Sequence, residues 1–115
     1  MHFSLLVSCP PSPDPTADKA LQFATALLAA GHHLYRVFFV AEGVNVAATL
    51  AESGDQHASE GWAQLQHNHN LDLVVCITDY QQRFGKASCN PAFTLSGMGQ
   101  LADASHHSER VVSFR

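Results

Sequence analysis

The chain has 115 residues, 46% of them apolar and 14% charged, with ten acidic against six basic side chains and a formal net charge of −4. That length sets a single domain over residues 1–115. The few, scattered Lys and Arg residues speak against a direct grip on nucleic acid, and no apolar run reaches the length that spans a membrane.

The low share of charge suggests that partner subunits cover some of the surface. Met1 to Ser8 has no basic leader and reads straight into a strand, so no signal peptide is expected. The three cysteines, Cys9, Cys76 and Cys89, are odd in number and show no short-range pattern. They argue against a disulfide framework and fit a reducing cytoplasm.

Phe3–Val7 reads as the first strand, ending at Ser8-Cys9. Pro10, Pro11, Pro13 and Pro15 then exclude a helix interior or a central strand and predict a stiff loop over that strand's end. Thr16 or Asp14 is placed to cap the following helix. Asp18–Ala30 is that helix, with an apolar stripe of Leu21, Phe23, Ala24, Leu27 and Leu28, closed by Gly31. Leu34–Val40 is the second strand. Ala41-Glu42-Gly43 turns into a helix over Val44–Ala51, which makes a right-handed β-α-β unit.

After a loop at 53–57, Ser59–His69 reads as a third helix with Trp62 and Leu65 inward. Leu71–Cys76 is an apolar strand that turns polar at Thr78-Asp79. Tyr80–Cys89 is weakly periodic, a short helix or an ordered loop. Pro91–Ser96 leads to a last helix from Gly97 to about Ser105, and Arg110–Phe114 closes the sheet. The alternation predicts a three-layer α/β fold: a mostly parallel sheet of about four to five strands with helices on both faces.

Cys76 is the candidate nucleophile. In an alternating α/β chain the C-terminal end of a buried parallel strand faces the binding crevice. A helix starting near Thr78 or Asp79 would turn its positive end toward the sulfur and favour the thiolate. The plainer reading is a small buried hydrophobe. Cys9 also falls at a strand end, so the two thiols form a redox or exchange pair if their strands are near neighbours. Otherwise they are unrelated, and Cys89 is an exposed loop thiol.

Eight histidines raise the question of a metal. His67 and His69 diverge on a helix, His32-His33 and His106-His107 flank turns, and no zinc-binding spacing occurs. Prolines stand where a dinucleotide-binding glycine motif would follow the first strand, and no Gly-x-Ser-x-Gly elbow exists. Glu42-Gly43-Val44 either lines the Cys76 crevice or simply makes the turn.

Taken in order, several pieces resemble one family. They are Leu21-Gln22-Phe23-Ala24 with Gly31-His32, Val37-Phe38-Phe39 with Glu42-Gly43-Val44, and Leu71–Cys76. Phe93-Thr94-Leu95-Ser96-Gly97-Met98-Gly99-Gln100-Leu101 and Arg110-Val111-Val112 complete the set. The set is similar to the DsrE/DsrF-like sulfur-relay family, and most of all to its TusD and DsrE subunits, over nearly the whole chain. The resemblance implies a sulfurtransferase whose Cys76 carries a persulfide, with no metal and no organic cofactor.

In such relays sulfur comes from a TusA-like carrier and passes to a TusE-like one, ending in 2-thiouridine at the tRNA wobble position. The implied partners are TusB/TusC-like or DsrF/DsrH-like subunits in a heterohexamer, with homo-oligomers possible for the chain alone. Alternatives are a DsrE-type role in sulfur oxidation and a non-catalytic structural subunit. The latter is motivated by the stretch after Cys76: Ile77–Gly85 is more polar than the family's usual small residues and Arg-Arg-Gly, and Gly85 to Phe93 is shorter.

Overall fold

Short runs rich in β-branched and aromatic residues form the sheet. In the computed structural model, residues 2–9, 19–47, 56–85, 91–97, 99, 108 and 110–114 are described. Strand β1 is His2–Val7, β2 His33–Phe39, β3 Leu73–Cys76, β4 Thr94–Ser96 and β5 Arg110–Phe114. Their order is β4-β3-β2-β1-β5, and every pairing is parallel. Helix α1 is Lys19–Ala29, α2 Gln56–His69 and α3 Ile77–Phe84, and a 3-10 helix covers Ala41–Ala47.

Side chains alternate along each strand, so the sheet has two distinct faces. Phe3 meets Phe23 of α1 edge-on at 6.4 Å between ring centroids, and Phe39 meets Trp62 of α2 at 5.4 Å. Helices α1 and α2 therefore cover the same face. Right-handed crossovers require this, because β1 to β2 and β2 to β3 step in one direction across the sheet. The opposite face carries Ser4, Phe38 and Val74, all buried. There Ser4 Oγ shares a hydrogen bond of 2.5 Å with Ser108 Oγ. Both faces of the central strands are thus covered, and all four residues of β3 are buried.

The helix ends explain where the chain turns. Past α1, the Gly31 N–H donates to Leu28 and the His32 N–H to Leu27, with Gly31 at φ +86°. This pair of bonds is a Schellman closure, which favours glycine at the left-handed position. Asn70 plays the same part after α2 at φ +53°, where the Leu71 N–H reaches back to Gln66. The chain then enters β3 through Asp72. The Asp72 carbonyl accepts the Val37 N–H at 3.0 Å, and its carboxylate accepts Arg36 Nε at 2.7 Å. Both contacts fix β3 beside β2.

Two expectations change. The segment after β2 forms a 3-10 helix over Ala41–Ala47, where a helix over Val44–Ala51 was expected; residues 48–51 lie outside the described set. The tighter winding follows from Gly43, whose N–H bonds the Val40 carbonyl at 2.8 Å, and from the left-handed Ala41 before it. Second, Thr94–Ser96 is a strand, the fifth of the sheet, where only a connection was expected. Three residues at a sheet edge carry too little alternation to signal a strand. The proline loop and most of the expected last helix lie outside the described residues.

Gly43 sits hard against β1. A Cβ there would lie 2.3 Å from the Val7 carbonyl oxygen, which is backbone and cannot rotate away. Gly43→Ala should therefore lower stability by about 1–3 kcal/mol, the usual cost of overpacking, read as a lower urea midpoint at unchanged slope.

Candidate active site at the end of β3

Cys76 is the last residue of β3 and also the N-cap of α3. Its backbone is extended, with φ −61° and ψ 114°, and its side chain makes no capping hydrogen bond. The helix begins at Ile77, directly after the cysteine, rather than at Thr78 or Asp79 as the sequence suggested. The first N–H groups of α3 have no intrahelical partner and point back toward the strand end. Cys76 therefore stands at the junction of α3 and the sheet's C-terminal edge.

That position is enclosed, with Cys76 only 4% exposed. Val75 beside it is fully buried, and Tyr80 of α3 is buried and packs on Phe84 with ring centroids 4.9 Å apart and planes tilted by 44°. On the β4 side Cys76 pairs in register with Ser96. On the β2 side stands the 3-10 helix, which packs on both β3 and α3 and buries Val44, Val46 and Ala47. Asp79, at the third position of α3, accepts the Ala41 N–H through Oδ2 at 2.8 Å. The 3-10 helix that contains Glu42-Gly43-Val44 thus packs on the elements that meet at Cys76, and Gly43 makes the close approach to β1.

The sequence did not mark Asp79 or Ala41. Asp79 entered only as a place near which a helix would start, and Ala41 only as part of the turn after β2. The usable signal was the polar Thr78-Asp79 pair after an apolar strand, whose spacing from Cys76 places a carboxylate in the first helical turn.

Cys9 and Cys76 share the C-terminal edge of the sheet but are not neighbours. Their strands, β1 and β3, are separated by β2. The 3-10 helix occupies the edge between them, with Gly43 against the Val7 and Cys9 carbonyls. Neither thiol is in a disulfide, and Cys89 lies outside the described residues. An exchange pair needs Cα atoms within about 7 Å, which two strand spacings exceed.

The histidines fall elsewhere. His2 and His33 stack face to face at the opposite end of the sheet, with centroids 4.9 Å apart and 15° between planes. His67 and His69 lie on the last turn of α2. Among the described residues no three His, Cys, Asp or Glu side chains gather into a metal site. Nor, among those residues, is any helix long and apolar enough to cross a membrane.

A family model described as the DsrE/DsrF-like family matches residues 1–114. The chain belongs to the DsrE/DsrF-like family. It is 40% identical to the sulfurtransferase TusD of Serratia proteamaculans (strain 568), over 99% of each chain. It is 38% identical to a protein of Allochromatium vinosum named as a candidate sulfurtransferase DsrE, over 99% of this chain and 98% of that one. These relatives identify the chain as a sulfurtransferase of the DsrE/TusD type.

Both alignments run over 128 positions against 115 residues here, so this chain is shorter within the matched region. In fold it matches the crystal structure of the ychN protein from E. coli, with a TM-score of 0.78 at 17% identity over 99% of this chain. That likeness bears out the parallel α/β architecture.

The geometry separates the two described thiols by access. A bulky maleimide should label the half-buried Cys9 of the folded protein well before Cys76, and unfolding in urea should remove the difference. Peptide mass spectrometry of timed samples checks this.

Proposed function

We propose that this sulfurtransferase carries its cargo as a persulfide on Cys76. The observation that carries the reading is the placement of this thiol: a strand-end cysteine that is also the N-cap of α3, with its side chain uncommitted to capping. The exchange itself is balanced without a redox partner. The Cys76 thiolate attacks the outer sulfur of a donor persulfide, that S–S bond breaks, and the donor leaves as a thiolate. Cys76 then holds an S–SH group. An acceptor thiolate takes the outer sulfur in the same manner and regenerates Cys76. The reaction moves negative charge onto sulfur at the strand end, where the first N–H groups of α3 converge.

The surrounding relay is read from the family. Sulfur would arrive from a TusA-like carrier and leave to a TusE-like one. The chain would sit in the cytoplasm within a heterohexamer of TusB/TusC-like or DsrF/DsrH-like subunits, and the relay would end in 2-thiouridine at the tRNA wobble position. The 40% identity with a protein named TusD supports this direction. The similar match to a protein named DsrE supports a sulfur-oxidation relay as the second reading.

Incubation with a small persulfide donor should add the mass of one sulfur atom to the Cys76 peptide. Cys76→Ser should lose that adduct while keeping its circular dichroism spectrum. Full loading of the serine variant would overturn the assignment, and no adduct in folded wild-type protein would favour a structural subunit.

The two relays separate in cells. In a strain deleted for its own TusD subunit, this chain should restore 2-thiouridine in bulk tRNA. Failure to do so by a protein that loads sulfur normally would select the sulfur-oxidation reading.

A further inference from the structure

Residue Cys76 is only 4% exposed, yet a donor must reach its sulfur. What borders the thiol therefore decides how it is approached. The 3-10 helix Ala41–Ala47 is one wall of the junction, because it packs against both β3 and α3. Two anchors hold it. At Gly43 the backbone fits against the Val7 carbonyl, and at Ala41 the N–H donates to Asp79 Oδ2 at 2.8 Å.

The second anchor is the unusual one. Ala41 stands at φ +50°, in the left-handed region. Among the described residues the other non-glycine residue there is Asn70, a type that enters this region readily and closes a helix. Alanine has no side-chain group to support such a backbone, so its surroundings must hold it. The group on its N–H is the carboxylate of Asp79, three residues after Cys76 in the turn that Cys76 caps. One hydrogen bond thus ties the strained start of the wall to the turn that presents the thiol.

From this we infer that Asp79 is a positioning residue for sulfur transfer: it holds the 3-10 helix in register with the Cys76 turn and so sets how donors reach the thiol. The inference rests on Cys76 being the acceptor. It assigns Asp79 no proton transfer and no contact with the cargo. Its contribution is the bond to Ala41, so an acceptor at the same atom is what matters, not the negative charge.

The test compares wild type, Asp79→Ala, Asp79→Asn and Cys76→Ser, all full length. Two readouts are taken: the rate of Cys76 alkylation by iodoacetamide, and the half-saturation and maximal rate of loading by glutathione persulfide, followed by peptide mass. Asp79→Asn keeps an acceptor oxygen and should stay within about twofold of wild type, whereas Asp79→Ala should alkylate faster and raise the half-saturation, each by about tenfold, as misplacement of a positioning element does. Glycine adopts φ +50° without strain. Adding Ala41→Gly to Asp79→Ala should therefore bring both readouts back toward wild type, and it supplies a second variant if the single one folds poorly.

Unchanged readouts in Asp79→Ala would overturn the inference. So would an Asp79→Asn variant as altered as the alanine one, or a folded double variant that recovers nothing. If Cys76→Ser loads sulfur like wild type, the thiol assignment itself fails. Loss of loading in Cys76→Ser alongside a wild-type Asp79→Ala removes the Asp79 inference alone.

Discussion

Everything at the candidate site depends on all strand pairings being parallel. A parallel sheet gathers every strand's C-terminal end, and the start of the segment that follows, along one edge. Here that edge collects the ends of β1, β2 and β3, the 3-10 helix and the first turn of α3. The requirement is costly in local terms, because each return needs a crossover long enough to span a strand. It is sustained by the buried rows of the central strands: Leu5, Val37 and Leu73 on one face, Phe38 and Val74 on the other.

The crossovers return the chain to the sheet by ordinary helix closures. The Schellman turn at Gly31 and its asparagine counterpart at Asn70 end α1 and α2 and send the chain into β2 and β3. The Arg36–Asp72 pair then fixes where β3 begins. With Asp72 half-exposed, this pair contributes little stability by charge alone. Its value lies in geometry, because the same residue's carbonyl also joins the β2–β3 ladder. With β3 only four residues long, a slip of one residue at Asp72 would turn Cys76 to the other face.

Much of this was legible in the sequence for a definite reason. The cores of β1, β2 and β3 are dense in Leu, Val and Phe, and the turns between elements carry Gly31 and the polar stretch from His67 to Asn70. Period and punctuation therefore agree. Cys76 stood out because the apolar run stops on it. What was illegible had weak local signals. Thr94–Ser96 becomes a strand only because β3 offers an unpaired edge. The 3-10 segment Ala41–Ala47 is seated against the Val7 carbonyl and Asp79, contacts made across 36 and 38 residues of chain. The register of α3, one or two residues earlier than its polar residues implied, makes Cys76 the cap and lets Asp79 reach sideways.

Burial of the thiol fits the chemistry of a carrier. A persulfide is labile toward any passing thiol and toward oxidants, so an open site would lose its sulfur between partners. Enclosure suppresses those side reactions, as closing an active site does more generally. A relay that moves a single sulfur atom has no need for the large apolar pocket that a substrate-binding enzyme requires. A persulfide on Cys76, as proposed, calls for a held approach along which a donor delivers its sulfur. The end of β3, the first turn of α3 and a 3-10 segment held at Gly43 and Ala41 frame that approach.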